Sequence, residues 1–266
     1  MPSAAAFPVS CGVHDAGTPS PGRLAGAVPL CRILLVLLTL LWAGPAAHAQ
    51  AGAPVRRVMV GPVEVELPTP RGFVEAADLS PALRQYGETA TPPGNRLLAF
   101  FVPTADTMAA MNNGSPGLRR YVMVQTLRQA ERDVITAQGM SEVKEQLRTQ
   151  YKSTIVAMQP QVDAFMATTS QKLGAQAGRP ELSIKVGESI PLEIFDERAT
   201  SISMAVLSKV NVSTAAVIRE IPLVVAMTTM TIQGKLVYVF VYAVYDGPAD
   251  LEWARAATLE WLSSLP

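Results

Sequence analysis

Residues 221–245 read IPLVVAMTTMTIQGKLVYVFVYAVY, the most apolar stretch of the chain after its first fifty residues. The stretch is long enough to cross a bilayer, which takes about 20 residues. As a single helix, however, it would place Lys235 near the membrane midplane, where a lysine costs about 2.5 to 3.5 kcal/mol. Its second half is mainly β-branched and aromatic, which favours strands. We therefore predict a β-hairpin with a solvated turn at Gln233, Gly234 and Lys235, and a second strand that is buried on both faces at the centre of a sheet.

Apolar runs and turn residues predict further strands upstream of this hairpin. These strands comprise residues 55–60, 63–67, 95–102, 118–127, 190–195 and 202–210. Between the second and the third of them, Ser80 is predicted to cap a short helix that has Pro81 at its first position.

Two longer helices are predicted from a change in the apolar period. From Ser141 onward, apolar residues recur at spacings near 3.6, which predicts a long amphipathic helix that begins at Ser141. Pro160 must kink this helix or divide it in two, because proline removes a hydrogen bond and crowds the preceding turn. Residues 248–264 predict a final helix, with these residues along one side: Leu251, Ala254, Thr258, Trp261 and Leu262. The expected fold class is α+β, a mainly antiparallel sheet packed against a long middle helix and a C-terminal helix.

The start of the chain has the features of a secretory signal peptide. Arg32 precedes a ten-residue apolar run at 33–42, and Ala47-His48-Ala49 provides a small-x-small cleavage site. We therefore expect residues 1–49 to be a presequence and residues 50–266 to form a single α+β domain. The signal is bacterial in type, which predicts a periplasmic or secreted protein that only passes through the membrane. The alternative is a protein that an uncleaved signal anchors to the inner membrane.

Residue content excludes much of the familiar catalytic chemistry. All histidines and cysteines precede the predicted cleavage site: Cys11, His14, Cys31 and His48. The predicted mature chain therefore has no histidine base, no cysteine nucleophile, no disulfide and no His or Cys metal ligand. From 22 basic and 22 acidic residues, the presequence removes two arginines and one aspartate, which leaves 20 and 21. This balance, without a basic stripe, predicts no nucleic-acid partner.

Few polar patterns remain as candidate sites. Ser141 and Lys144 form an S-x-x-K pair, in which lysine activates serine in penicillin-binding proteins and β-lactamases. The companion K-T-G and S-x-N motifs are missing, so we interpret Ser141 as a helix cap. The carboxylates that could serve chemistry are Asp78, Glu88, Asp196, Glu197, Asp246 and Asp250. For the last two, a role at the start of the final helix is sufficient.

Methionine and arginine pairs have simpler interpretations than ligand binding. Thioethers can hold Cu(I), and the pairs considered are Met108 and Met111, Met158 and Met166, and Met227 and Met230. Members of the last pair should face opposite sides of a strand, and core packing explains all three pairs. The pairs Arg56-Arg57 and Arg119-Arg120 are interpreted as solvated strand residues. The sequence assigns no catalytic, cofactor-binding or metal-binding residue and predicts no cofactor.

The order of elements resembles a known superfamily. The turn at 67–73, LPTPRGF, the hairpin through Gly234, and a closing helix led by Asp250 and Trp253 together resemble the PsbP/DcrB-like superfamily of exported accessory proteins. The resemblance covers roughly the whole mature chain and includes no diagnostic motif. It implies a small accessory or binding module without a catalytic centre of its own, and it carries over no functional residue.

Three functions are compatible with these observations. The first is an exported, non-catalytic envelope or periplasmic module that binds a protein or an envelope component, and the sequence favours it because catalytic motifs are missing. The second is a hydrolase-like envelope enzyme that uses carboxylate, Ser, Lys or Tyr chemistry. The third is a carrier that holds a small molecule or a lipid between the sheet and the long helix.

Overall fold

Groups of strands and groups of helices follow one another in the first part of the described chain, and four consecutive strands and a helix make up the rest. The structure, a computed structural model, describes residues 54–112, 117–176 and 178–266. The predicted presequence, residues 1–49, lies outside the described residues. The strands are β1 (Val55–Val60), β2 (Val63–Pro68), β3 (Phe73–Glu75), β4 (Asn95–Pro103), β5 (Arg120–Leu127), β6 (Ser183–Arg198), β7 (Ser201–Ser213), β8 (Ile218–Ile232) and β9 (Lys235–Val244). The helices are α1 (Ala76–Leu79), α2 (Pro81–Thr89), α3 (Thr104–Met111), α4 (Ala137–Ala157), α5 (Gln159–Gln176) and α6 (Pro248–Ser263).

The described strands form a seven-stranded sheet and a separate hairpin. The order in the sheet is β3-β4-β5-β9-β8-β7-β6, and β1 pairs with β2. All neighbours are antiparallel. Helices cover the sheet on both faces, since Phe100 and Phe101 of β4 belong to different apolar clusters. The predicted α+β class is therefore confirmed.

Strands β8 and β9 are the hairpin that the apolar stretch predicts. Ile232 pairs with Lys235 across a two-residue turn, and Gln233 and Gly234 have positive φ angles of 51° and 76°, as a tight hairpin turn of this kind requires. The prediction of a solvated turn is wrong at Lys235, because this residue is 0% exposed. The segment after β5 packs over the turn, and the Ile135 N–H donates to the Gly234 carbonyl at 2.8 Å.

The two faces of β9 are covered to different extents. Val237, Val239, Val241 and Ala243 are fully buried on the face that meets α6 and the β1–β2 hairpin. On the other face, three aromatic side chains are only partly buried: Tyr238, Phe240 and Tyr242. The prediction of a strand buried on both faces is therefore right in full for one face only.

Helix α6 packs through the side that the sequence predicts. Ala254, Thr258, Trp261 and Leu262 are buried, and Leu251 is partly buried. The Trp261 indole Nε1–H also donates to the Pro68 carbonyl at 2.6 Å, which ties the helix to the end of β2. Packing and this hydrogen bond together fix α6 on the sheet.

The long middle helix is divided near Pro160, as predicted. Helix α4 ends at Ala157 and α5 begins at Gln159. The predicted start at Ser141 is wrong, because α4 begins one turn earlier and Thr136 is its N-cap, with the Gly139 N–H donating to the Thr136 Oγ1 at 3.1 Å. The shorter helix is as predicted, since Ser80 caps α2 and Pro81 is its first residue.

None of the helices in residues 54–112, 117–176 and 178–266 combines the length and the apolarity that a membrane crossing requires.

Gly61 joins β1 to β2 at a place where a side chain does not fit. Its φ is 58°, and an added Cβ would lie 2.2 Å from the carbonyl oxygen of Glu131. Gly72 also has a positive φ, 79°, but no atom lies within 4 Å of its Cβ position. We expect Gly61→Ala to lower the free energy of unfolding by about 2 kcal/mol and Gly72→Ala by about 1 kcal/mol. Urea denaturation measures both, and equal losses would show that the backbone at Glu131 yields without cost.

Candidate functional site

A cleft of about 870 Å³ lies along the outer edge of β4. Strand β3 pairs only with the last three residues of β4, so residues 95–100 have no strand neighbour on that side. Helices α1 and α2 form one wall of the cleft and α5 forms the other. The α5 wall is a single helical stripe whose residues recur every three or four positions, made of Gln161, Ala164, Phe165, Thr168, Thr169 and Lys172. We call this space the α2–α5 cleft.

Two charged side chains occupy the places that a further strand would fill beside β4. The Arg56 Nε–H donates to the Leu98 carbonyl at 2.7 Å. The Phe100 N–H donates to both carboxylate oxygens of Glu75, at 3.2 and 3.1 Å. Buried backbone groups need partners, and an open strand edge invites pairing with another chain. Arg56 and Glu75 therefore close the edge of β4 and form the floor of the cleft.

Burial changes the acidity of Glu75. Its side chain is only 12% exposed, and desolvation raises the pKa of the carboxyl from 4.5 to about 7. Arg56, whose Nε lies 3.7 Å from the carboxylate, and the N–H donors of Phe100 and Ala77 oppose this rise in pKa. The desolvation of the charged form outweighs their attraction, so Glu75 titrates near neutral pH.

Most of the other charges in the cleft are neutralised by partners. Asp78 bonds Arg56 and lies 3.5 Å from Arg84. The Arg84 Nε–H also donates to the Ala77 carbonyl at 2.7 Å. Arg96 makes a two-pronged pair with Glu131 at 2.7 and 2.9 Å, and this hydrogen bonding lowers the pKa of Glu131.

Three exposed charged side chains of the cleft make no close contact in this network, although the Arg128 charge helps to lower the pKa of Glu131. Arg128, Lys172 and Glu88 line the cleft. Within the described residues, none of their side chains makes a hydrogen bond or an ion pair that meets normal distance limits. Two cations against one carboxylate leave an excess of one positive charge. The cleft can therefore attract an anion without breaking a contact between residues that the structure describes.

The structure separates the S-x-x-K pair. Ser141 is exposed on the second turn of α4, whereas the Lys144 ammonium donates to the Arg198 carbonyl at 2.9 Å and lies 3.3 Å from Glu197. Arg148 bonds Glu197 at 2.7 Å, and mainly this hydrogen bond lowers the pKa of Glu197 to about 2. Lys144 therefore belongs to an ion-pair network and does not activate Ser141.

The carboxylates near α6 have structural partners. The Asp250 side chain accepts the Asp246 N–H at 2.9 Å and pairs with Arg120 at 3.1 Å. These two contacts lower the pKa of Asp250, the backbone N–H most strongly. A role at the helix start is thus found for Asp250, whereas the Asp246 side chain pairs with Arg119.

Other sequence candidates are distributed over separate surfaces. Arg120 also stacks on Trp253, with 4.3 Å from its guanidinium carbon to the ring centroid. The arginines of both sequence pairs bond acidic side chains instead of being only solvated, because Arg57 also bonds Glu66. The candidate carboxylate Asp196 bonds Arg198. In the residues that the structure describes, no three acidic side chains come close enough to hold a metal ion.

The methionine pairs do not behave alike. Met230 is buried and Met227 lies on the opposite, partly exposed face of β8, as predicted. Met108 and Met111 share α3 and are each 58% exposed, and Met158 is 51% exposed. Core packing is therefore the wrong interpretation for these three methionines.

Only part of the cleft is predictable from the sequence. Asp78 and Glu88 were candidates, but Glu75, Arg128 and Lys172 had no motif to mark them. A weak signal existed for Glu75, because an acid directly before a helix is a common cap, and its side chain indeed accepts the Ala77 N–H at 3.2 Å.

Comparisons with known proteins do not assign this chain to a family. No protein-family model matches it, and no curated protein matches it. Among solved structures, a mutant of the protein Mog1 matches with 11% sequence identity and a TM-score of 0.33, over 80% of this chain and 93% of that chain. A similarity at this TM-score carries no argument about function.

Proposed function

We propose that the protein is an exported, non-catalytic binding module whose ligand site is the α2–α5 cleft. The observation that carries the proposal is the cleft itself, since its volume of about 870 Å³ is within the range of small-molecule sites in proteins, roughly 300 to 1,000 Å³. Export is supported by the signal-like features at 33–42 and at Ala47-His48-Ala49. The order of elements that resembles PsbP/DcrB-like accessory proteins also supports a module of this kind.

The inner surface of the cleft suits binding better than catalysis. Glu75 and Asp78 are the carboxylates near its floor, and both are already engaged by protein groups. Glu75 accepts the N–H groups of Phe100 and Ala77, and Asp78 pairs with two arginines. Because protein groups already occupy these carboxylate oxygens, the two side chains shape the site rather than contact a substrate.

The position of the cleft favours a small ligand over a protein partner. Helix α5 is the second half of the predicted long helix, and the cleft lies between this helix and the edge of the sheet. The carrier hypothesis placed its ligand between the sheet and the long helix. The protein is therefore a binding module whose ligand is a small molecule.

A hydrolase-like enzyme is the second candidate, and one observation favours it. The pKa of Glu75 is raised to about 7, and perturbed carboxyls in clefts are candidates for general acid–base catalysis. Glu75→Gln distinguishes the two functions. If Glu75 is catalytic, the variant should retain its ligand without converting it, and the compounds recovered from the variant and from the wild-type protein should differ. If the protein is a binding module, the same unchanged ligand should be recovered from both proteins.

Native mass spectrometry tests the proposed function. The protein purified gently from the envelope of its own cells should carry an excess mass, and Ala164→Trp should remove most of that mass because the indole takes up space on the α5 wall of the cleft. Ala167 is also exposed on α5 but does not line the cleft, so Ala167→Trp is the matched control and should retain the ligand. A bare chain mass for the wild-type protein would contradict the proposal, as would equal loss in both variants.

A further inference from the structure

We infer that the ligand of the α2–α5 cleft combines an anionic group with an apolar body, and that Arg128 and Lys172 bind the anionic group. This inference rests on the proposed binding function and specifies the chemical class of the ligand. It is carried by the charges of the cleft, by its apolar lining and by the way both cations are positioned.

The charges of the cleft point to an anion of low charge. The lining holds five basic and three acidic side chains, an excess of two. The Arg96 charge is offset by Glu131, which lies outside the lining, so the excess that a ligand meets is one. An anion with one or two negative charges matches this excess, whereas a polyphosphate would exceed it. A protonated Glu75 adds to the attraction below neutral pH.

Apolar groups between the charges provide a surface for the rest of the ligand. Pro92, Pro93 and Leu97 line one side, and Ala164 and Phe165 line the other. Phe165 and Leu97 are partly exposed rather than fully buried. Burial of such surface stabilises a complex by about 25 cal/mol per Å², so a ring or a short aliphatic chain gains from lying here.

The two cations are held on elements that the protein fixes. The Arg128 N–H donates to the Gly94 carbonyl at 3.0 Å, which holds its backbone beside the proline wall. Lys172 lies two helical turns after Phe165 on the same stripe of α5. The Thr169 hydroxyl donates to the Thr89 carbonyl at 3.4 Å and joins α5 to α2. Both cations therefore line the cleft from elements that hydrogen bonds hold in place, and their side chains are exposed.

The ligand class follows from this arrangement. A carboxylate, sulfonate or phosphate monoester can accept hydrogen bonds from a guanidinium and an ammonium together. Its organic part can lie on the Phe165 ring and the proline walls. The expected ligand is thus a small organic anion, and the uncharged form of the same body should bind less well.

A pair of fluorescent probes separates the anionic group from the apolar body. Anilinonaphthalene sulfonate carries a sulfonate, and N-phenylnaphthylamine has the same ring system without it. Both are titrated against the purified protein and against Lys172→Gln and Arg128→Gln. Each substitution should weaken the sulfonate probe by about tenfold, the loss of one charge-assisted hydrogen bond, and should leave the neutral probe within about twofold.

Matched controls decide the result. Lys185 and Arg219 are exposed and lie outside the cleft, so Lys185→Gln and Arg219→Gln should change neither probe. Unchanged sulfonate affinity in Lys172→Gln and Arg128→Gln, or an equal loss of both probes, would overturn the inference. If Ala164→Trp still blocks both probes in that case, the proposed function stands and only the ligand class is wrong. If Ala164→Trp blocks neither probe, the cleft is not the site.

Discussion

Replacing Lys235 with alanine is expected to lower the free energy of unfolding by about 4 kcal/mol. The Lys235 ammonium donates to the carbonyls of Glu131 and Asp133 at 3.0 and 2.8 Å, and the residue is 0% exposed. Alanine leaves both carbonyls without this donor and leaves a cavity where the aliphatic stem packs. Two such losses at one buried position add to a large effect.

Urea denaturation of matched variants tests this expectation. Lys235→Met keeps most of the stem volume and removes only the hydrogen bonds, so it should cost about 2 kcal/mol. Lys185 is exposed on β6, and Lys185→Ala should cost less than about 0.5 kcal/mol. A loss below about 1 kcal/mol for Lys235→Ala would mean that water replaces the ammonium and that the turn is solvated after all.

Local pattern was sufficient for most of the framework of the sheet and its helices. A β-branched and aromatic run with a Gln-Gly break specifies the β8–β9 hairpin, because strand preference and turn geometry both act within a few residues. Pro160 divides the middle helix for an equally local reason. The side of α6 that packs also follows from spacing alone.

Positions that depend on distant segments were not predictable. Lys235 follows a turn and carries a charge, which predicts exposure, but its burial depends on carbonyls about a hundred residues earlier in the chain. Serine is a common helix cap, which predicts this role for Ser141, yet Thr136 caps the helix. Because glycine disfavours helices, Gly139 gives no sign in the sequence that the helix begins before it. In both cases tertiary packing or a competing cap outweighs the local signal.

The cleft could not be assembled from the sequence for the same reason. Its floor combines Arg56 with Glu75, and its charged rim combines Arg128 with Lys172. These residues lie on four separate elements or connections, and their roles depend on which partners neutralise the charges around them. A sequence motif requires a fixed spacing along the chain between its residues. Residues that come from separate strands, helices and connections have no such fixed spacing.

The acidity of Glu75 gives the second large expected effect, a fall in stability as the pH rises from 5 to 8. Its folded pKa of about 7 lies above the ordinary value, so the folded protein binds this proton more tightly than the unfolded chain does. The stabilisation of the folded protein by the Glu75 proton is therefore complete below about pH 4.5 and is lost as the pH rises through 7. Over the measured range the loss should be about 2 to 3 kcal/mol.

The composition of the chain limits the number of other side chains that can titrate between pH 5 and 8. No histidine or cysteine occurs after residue 49, and Glu131, Glu197 and Asp250 have lowered pKa values, so their contributions are lost only at more acidic pH. Glu75→Gln should therefore remove most of the slope between pH 5 and 8 in urea denaturation, whatever constant offset it adds. Glu181→Gln, at an exposed acid, should keep the slope. A wild-type stability that does not fall with pH would show that Arg56 and the backbone donors outweigh burial and hold Glu75 ionised.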